Sequence, residues 1–309
     1  MRSVVVTGVS SGIGLGITDV LVREGIRIFG SVRKTSDADR LKAQFGDLFS
    51  PLFFDLTDYP AVAEAVRVVR SALDGSPLFG LVNNAGVAVA GPLLEVSIDD
   101  FRRQFEVNLF GHLNVIKAFA PMLGVDAAPN SARGRIVNIT SLGGRIGLPF
   151  LGPYIASKHG LEGLSESLRR ELIPYGIDVI IVGPGGVATP IWDKADQLEI
   201  PPASGLYREP LRRFKEQMVT RGRKGLPPER IGRIVLTALT TARPRVRYAA
   251  VTQPLRNWIL PRLLPRRFVD RIIAHQLGLN RYPRRLPTPE TETAAPPPDL
   301  TMLRQDKSE

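Results

Sequence analysis

Residues 3–14 read SVVVTGVSSGIG. A β-branched run breaks into a glycine turn that places Gly8, Gly12 and Gly14 at the opening of a helix. The glycines have steric reasons: Gly8 permits the tight turn, Gly12 lets backbone approach a pyrophosphate, and Gly14 lets helix pack closely on strand. A helix start also offers free N–H groups and partial positive charge to phosphate. The spacing departs from the commoner G-x-G-x-x-G fingerprint, so a plain strand-to-helix turn without ligand stays open at this point.

Outward from that turn, further short apolar runs follow at Ile26–Phe29, Leu52–Phe54, Leu78–Val82, Arg135–Ile139 and Asp178–Val182, with Val4–Val6 as the first. Residues 246–250 are a candidate last strand. Helical patterns separate these runs. Short, continuously apolar strands between helices predict an α/β fold with a doubly wound parallel sheet covered on both faces. In such sheets ligands bind beyond the carboxyl ends of the strands. Polar residues stand at several of those ends: Asp55, then Asn83 and Asn84 with Ala85 and Gly86.

The end of the second run bears on the nucleotide. A ribose with free hydroxyls calls for an acid about 20 residues after the glycines. The sequence there is FGSVRKTS, with Arg33 and Lys34 and no acid. Cations at that point suit a 2′-phosphate, and Ser10 and Ser11 add hydroxyl donors. A solvated basic loop is the alternative.

The strand GRIVNIT leads to Ser141, and thirteen residues later YIASK supplies Tyr154 and Lys158. Four-residue spacing puts the last two on one helix face. A free phenol, with a pKa of ~10, is a poor base at neutral pH. An ammonium ~5 Å away is expected to lower it by about 2 units. Tyr154 is then poised to exchange a proton with an alcohol or carbonyl, while Ser141 holds the same oxygen.

TGVSSGIG, NNAG, Asn108, Ser141, YIASK and PGGVAT stand in the order and spacing of the short-chain dehydrogenase/reductases, which residues 2–190 resemble. The resemblance implies a Rossmann-type sheet of seven parallel strands and an NADP(H) cofactor on the Arg33–Lys34 reading. It implies Tyr154 as acid/base and Lys158 as its tuner and ribose ligand. Ser141 would orient substrate, and Asn108 would anchor a proton-relaying water. Asp55 and Leu56 would lie at the adenine, and Asn83, Ala85 and Gly86 along the ribose side. Ile13 would join the glycine turn, and Pro184, Gly185, Val187 and Thr189 would hold the carboxamide. The helices around Phe101–Phe119 and Tyr154–Pro174 resemble the family's dimer-forming pair, so a homodimer or homotetramer is expected.

Beyond residue 190 the chain divides differently. Residues 1–250 are expected to form the catalytic domain, with 190–226 as its substrate loop, which contains Pro190, Pro201, Pro202 and Pro210. Residues 251–282 form an amphipathic basic extension, and 283–309 a Pro-rich tail expected to be disordered. VRK after the second run, ALTTARPRVRY and LLPRRFVDRII resemble retinol and hydroxysteroid dehydrogenase-like members. That implies a hydrophobic alcohol or ketone as substrate, of steroid, retinoid or lipid type.

Net charge is +11, and Arg243–Arg285 carries eleven arginines, no lysine and one acid, Asp270. These arginines lie among Leu, Ile, Phe and Trp, which fits an anionic membrane surface or a cover over an oily pocket better than nucleic acid. Both readings stay open. The chain lacks cysteine, which excludes disulfides and thiolate metal sites. His112, His159 and His275 are dispersed, so no metal is expected. Trp192 and Trp258 could line a substrate pocket or serve the core. The first run begins at Ser3, so no cleavable leader is expected, and a cytoplasmic enzyme, with or without peripheral membrane contact, is the expectation. A non-catalytic NADP-binding regulator or membrane-associated scaffold is the competing class.

Overall fold

Val4, Val5 and Val6 have no exposed surface, because β1 (Ser3–Val6) lies inside a sheet with parallel partners on both sides. The computed structural model describes residues 1–126, 131–197 and 205–279. The predicted tail, the last residues of the extension, and Pro201 and Pro202 lie outside the described residues.

After β1 come α1 (Gly12–Arg23), β2 (Arg27–Val32), α2 (Thr35–Phe45), β3 (Phe49–Phe53), α3 (Tyr59–Leu73) and β4 (Gly80–Asn83). Then follow α4 (Ile98–Phe105), α5 (Gly111–Phe119), β5 (Arg135–Ile139), α6 (Gly152–Glu171) and β6 (Asp178–Pro184). The chain continues through α7 (Ile191–Gln197), α8 (Arg208–Arg223), α9 (Pro228–Thr240), β7 (Arg247–Ala250), α10 (Leu260–Leu263) and α11 (Arg266–Leu277).

The sheet has seven strands in the order β3-β2-β1-β4-β5-β6-β7, all pairings parallel. The chain moves outward from β1 to β3, then returns to place β4 on the other side of β1. Connections above β1 and β4 therefore diverge, and a crevice opens at their carboxyl ends. Successive side chains point to opposite faces, so each face has its own core. Val4 and Val6 pack with Ile17 and Leu21 of α1 and Ile231 and Val235 of α9. Val5 and Phe29 pack with Val69 of α3 and with Val115 and Phe119 of α5.

A third, smaller cluster joins Phe150, just before α6, to Leu211 and Phe214 of α8 and Leu277 of α11. Phe150 sits at φ +65, a backbone region that costs an L residue about 1–2 kcal/mol. Its ring offsets this by edge contacts with Phe214 (5.6 Å between centroids) and Tyr207 (6.1 Å). The extension is thus folded back over the loop that leads into α6.

Candidate active site

The glycine turn is built for close approach. Gly8 holds φ +70, and its N–H donates to Ser31 Oγ of β2 at 2.8 Å. A Cβ on Gly14 would run into the carbonyl of Gly8. Ser11 caps α1 without a side-chain bond, and no acid stands in the first turn, so the helix start keeps donors for an anion. Thr189 comes close as well: a Cβ on Gly12 would lie 3.3 Å from its methyl group. The loop after β6 therefore faces the glycine turn across the crevice.

Thr7 and Asn84 lock the two sides of the crevice together. Thr7 Oγ1 accepts from the N–H groups of Asn84 (2.9 Å) and Ala85 (3.0 Å), and Asn84 Nδ2 donates to the Thr7 and Gly8 carbonyls. Asn83 behaves differently from its neighbour. Its fully buried side chain donates to Asn138 Oδ1 at 2.8 Å, so it serves the sheet, and only its main chain is left for a ribose.

At the far end of the crevice Arg33 and Lys34 are exposed beyond β2. Arg33 Nη1 pairs with Asp55 Oδ2 at 3.3 Å. Burial would raise the Asp55 carboxyl, but hydrogen bonds from Thr57 and Arg33 outweigh it and hold the group below its ordinary range. Sequence reasoning does not single out Arg40, yet its Nη2 donates to the Ser10 carbonyl at 2.7 Å. A further cation therefore stands beside the turn. Its place in the first half of α2 was the available signal.

The expected reacting end draws on β5, α6 and the segment before α5. Ser141 follows β5 and stands beside Tyr154: a Cβ on Gly143 would lie 3.4 Å from Ser141 Oγ and 3.6 Å from Tyr154 Cε1. Lys158 is buried and donates from Nζ to the Ile139 carbonyl at 3.0 Å, with Nζ 6.0 Å from the Tyr154 ring centre. A Cβ on Gly86 would lie 3.2 Å from Asn108 Oδ1 and 3.8 Å from Lys158 Nζ. Gly86, Asn108, Ser141, Tyr154 and Lys158 thus converge at the carboxyl ends of β4 and β5.

One expectation needs correction. Lys158 was expected to lower the Tyr154 phenol, but burial pushes it up, with the Ser141 hydrogen bond opposing. Lys158 is desolvated too: burial pushes it down to about 8, with Glu162 pulling the other way. Asn108 is the residue expected to anchor a water. It lies in a π-helical turn, Glu106–Phe110, and both ends of its amide are engaged. Oδ1 accepts from Val87 N (2.9 Å), and Nδ2 donates to Val87 O (3.0 Å) and Ser157 Oγ (3.2 Å). Its side chain braces the loop after β4 against α6.

Trp192 and Trp258 also resolve. Trp192 Nε1 donates to Val187 O, and its ring leaves no room for a Cβ on Gly222, so it staples α7 to α8. Trp258 lies under the Arg247 guanidinium, 4.2 Å from ring centre to Cζ.

The family model described as short chain dehydrogenase matches residues 2–199. An NADPH-dependent 3-dehydrocapnine reductase of Ornithobacterium rhinotracheale is 36% identical over 90% of this chain and 98% of its own. Mouse retinol dehydrogenase 5 is 34% identical over 87% of this chain and 86% of its own. Among solved structures, a short-chain dehydrogenase from Streptomyces avermitilis superposes with a TM-score of 0.72 at 26% identity, covering 90% of this chain and 95% of that one. An actinorhodin polyketide ketoreductase with NADPH gives 0.69 at 29% identity, over 83% and 98% of the two chains. The chain belongs to the short-chain dehydrogenase/reductase family, a family of oxidoreductases.

Proposed function

We propose that this chain is an NADP(H)-dependent oxidoreductase that interconverts a secondary alcohol and a ketone, or a primary alcohol and an aldehyde, on a hydrophobic substrate. The observation that carries the reading is the convergence of Ser141, Tyr154 and buried Lys158 at one end of a crevice whose other end holds Arg33.

The crevice suits the cofactor. The open start of α1 and the close-set Gly8 and Gly14 fit a pyrophosphate, and Arg33, Lys34 and Arg40 fit a 2′-phosphate. Thr189, which faces Gly12 across the crevice, and the main chain of Val187 would hold a carboxamide. When bound, the nicotinamide supplies the hydride. Ser141 holds the substrate oxygen through its hydroxyl. Tyr154, a phenol whose pKa burial raises, would donate its proton to that oxygen. Lys158 as an ammonium stabilises the phenolate that results. Uptake of a proton from solvent then regenerates the phenol.

The relatives' names support both halves of the reading, one an NADPH-dependent reductase and the other a retinol dehydrogenase. The apolar cluster of Phe150, Leu211, Phe214 and Leu277 beside the α6 entrance supports an apolar substrate. NADPH oxidation against ketones and aldehydes graded by size and polarity tests it. Turnover should concentrate on large apolar carbonyls, and a protein that binds NADPH yet reduces none of them is not this enzyme.

The extension supports a membrane-surface contact in addition. Ile273 and Leu277 turn inward to α8, whereas Leu255 (71% exposed), Leu263 (76%) and Phe268 (49%) face out beside exposed Arg266, Arg267 and Arg271. Each such cation near an anionic leaflet is worth about 1 kcal/mol, and the apolar side chains add to it. Among the described residues no helix is long and apolar enough to cross a membrane. Flotation with phosphatidylserine vesicles is expected at low salt and should weaken as salt rises. Absence of flotation at low salt removes the proposal. Assembly through α4, α5 and α6 is proposed too: Phe110 is exposed, and a Cβ on Gly163 would meet open space. Light scattering should give a dimer or tetramer.

A further inference from the structure

Glu162 stands one turn after Lys158 on α6 and is buried. A buried carboxylate needs partners, and Glu162 has three. Thr140 Oγ1 donates to its Oε1 at 2.7 Å, and Arg145 Nε to its Oε2 at 2.9 Å. Arg247 of β7 donates from Nε to Oε2 at 3.0 Å and from Nη2 to Oε1 at 2.9 Å. Burial would raise its pKa, but these donors outweigh burial and keep it ionised.

The positions of the donors matter more than their number. Thr140 immediately precedes Ser141, and Arg145 follows the short turn Leu142–Gly144 that Ser141 caps. Glu162 therefore grips both ends of the segment that carries Ser141. Lys158 grips the same segment one residue earlier, at the Ile139 carbonyl. Two side chains one helical turn apart clamp the Ser141 segment onto the helix that carries Tyr154. Arg247 extends the arrangement outward, because its guanidinium stacks on Trp258 of the π-helical turn Leu255–Ile259.

We propose that Glu162 is a positioning residue for the reaction: it fixes Ser141 against the Tyr154–Lys158 face, and Arg247 with Trp258 carries that restraint to the C-terminal extension. The inference rests on the catalytic reading of Ser141, Tyr154 and Lys158. The carboxylate acts on Lys158 electrostatically as well. Lys158 is faced by Tyr154 and Glu162 on its own helix and by His112 from α5, with Arg145 and Arg247 behind Glu162. His112 is held neutral, its pKa pushed down to about 3 by burial and then by Lys158. Glu162 is thus the group that opposes the loss of the Lys158 proton. Removing its charge leaves two guanidinium ions nearby and lowers Lys158 further. A step that needs the ammonium is then lost at lower pH.

The test compares E162Q, E162D and W258A with wild type by pH profiles of kcat/KM, NADPH fluorescence titration and thermal melting. E162Q is expected to move the alkaline limb down by about one pH unit and to lower kcat about tenfold. E162D, which keeps the charge, should restore the limb. W258A should lower kcat less, with NADPH affinity unchanged. A merely structural ion cluster would lower the melting temperature of E162Q and leave its limb and kcat where they were, which overturns the proposal. Wild-type kcat in W258A removes the arm to the extension. Should E162Q fail to fold, T140V deletes one hydrogen bond to the carboxylate and no charge. Reduced kcat there supports the proposal, and unchanged kcat overturns it. If wild type binds NADPH but reduces no carbonyl, the catalytic reading fails by itself. The pH dependence of NADPH affinity then still reports on Lys158, and a profile that E162Q does not move overturns the role of Glu162.

Discussion

Replacing Tyr154 by Phe is expected to lower carbonyl reduction at least ~100-fold while NADPH affinity stays near that of wild type. The substitution removes one oxygen. That oxygen belongs to a phenol that stands beside Ser141 and whose pKa burial raises. Without it, Ser141 alone meets the substrate oxygen, and no positioned group supplies the proton. The ring remains to pack, and Lys158 keeps its bond to the Ile139 carbonyl, so the fold and cofactor site have no reason to change. Stopped-flow or steady-state NADPH oxidation reads the first quantity and fluorescence titration the second. Turnover within a fewfold of wild type would remove Tyr154 from the mechanism.

The second large effect is at the other end of the crevice. Arg33→Asp is expected to shift the NADPH-over-NADH preference by ~100-fold, the product of one lost charge-assisted contact and one gained repulsion. In the structure Arg33 is 75% exposed, and its pairing with Asp55 leaves the guanidinium accessible. Its loss should therefore cost little stability. The variant would place a second carboxylate next to Asp55, an arrangement that repels a 2′-phosphate and suits free ribose hydroxyls. The comparison is kcat/KM for both nucleotides in both proteins. Wild type that prefers NADH contradicts the cofactor assignment outright.

Much of this was legible because the determinants are local. The β5 run lies within the bounds that its apolar pattern sets, and the glycine turn sits where SVVVTG breaks into a helical pattern. Ser141, Tyr154 and Lys158 could be placed together because a strand end and a four-residue spacing fix their geometry. The third strand shows the limit of pattern alone. Its apolar run suggests a start at Leu52, yet β3 begins at Phe49 and includes Pro51. Proline is tolerated there because β3 is the sheet's edge strand. Side-chain direction was harder still. Nothing next to Asn83 in sequence says that it turns to Asn138, 55 residues on, or that Trp192 seeks the Val187 carbonyl. Glu162 passes as an ordinary helical acid until Arg247, 85 residues later, is brought onto it by β7.

The back-folded α11 has a consequence for the chain as it leaves the ribosome. The sheet is complete when β7 has emerged, and both of its main faces can pack from then on. The cluster around Phe150 waits for Leu277, the last residue of α11. A nascent chain therefore acquires its nucleotide crevice first and its apolar cover last. In the interval Phe150, Leu211 and Phe214 lack one wall, and a chaperone that recognises exposed aromatic surface has its binding window there.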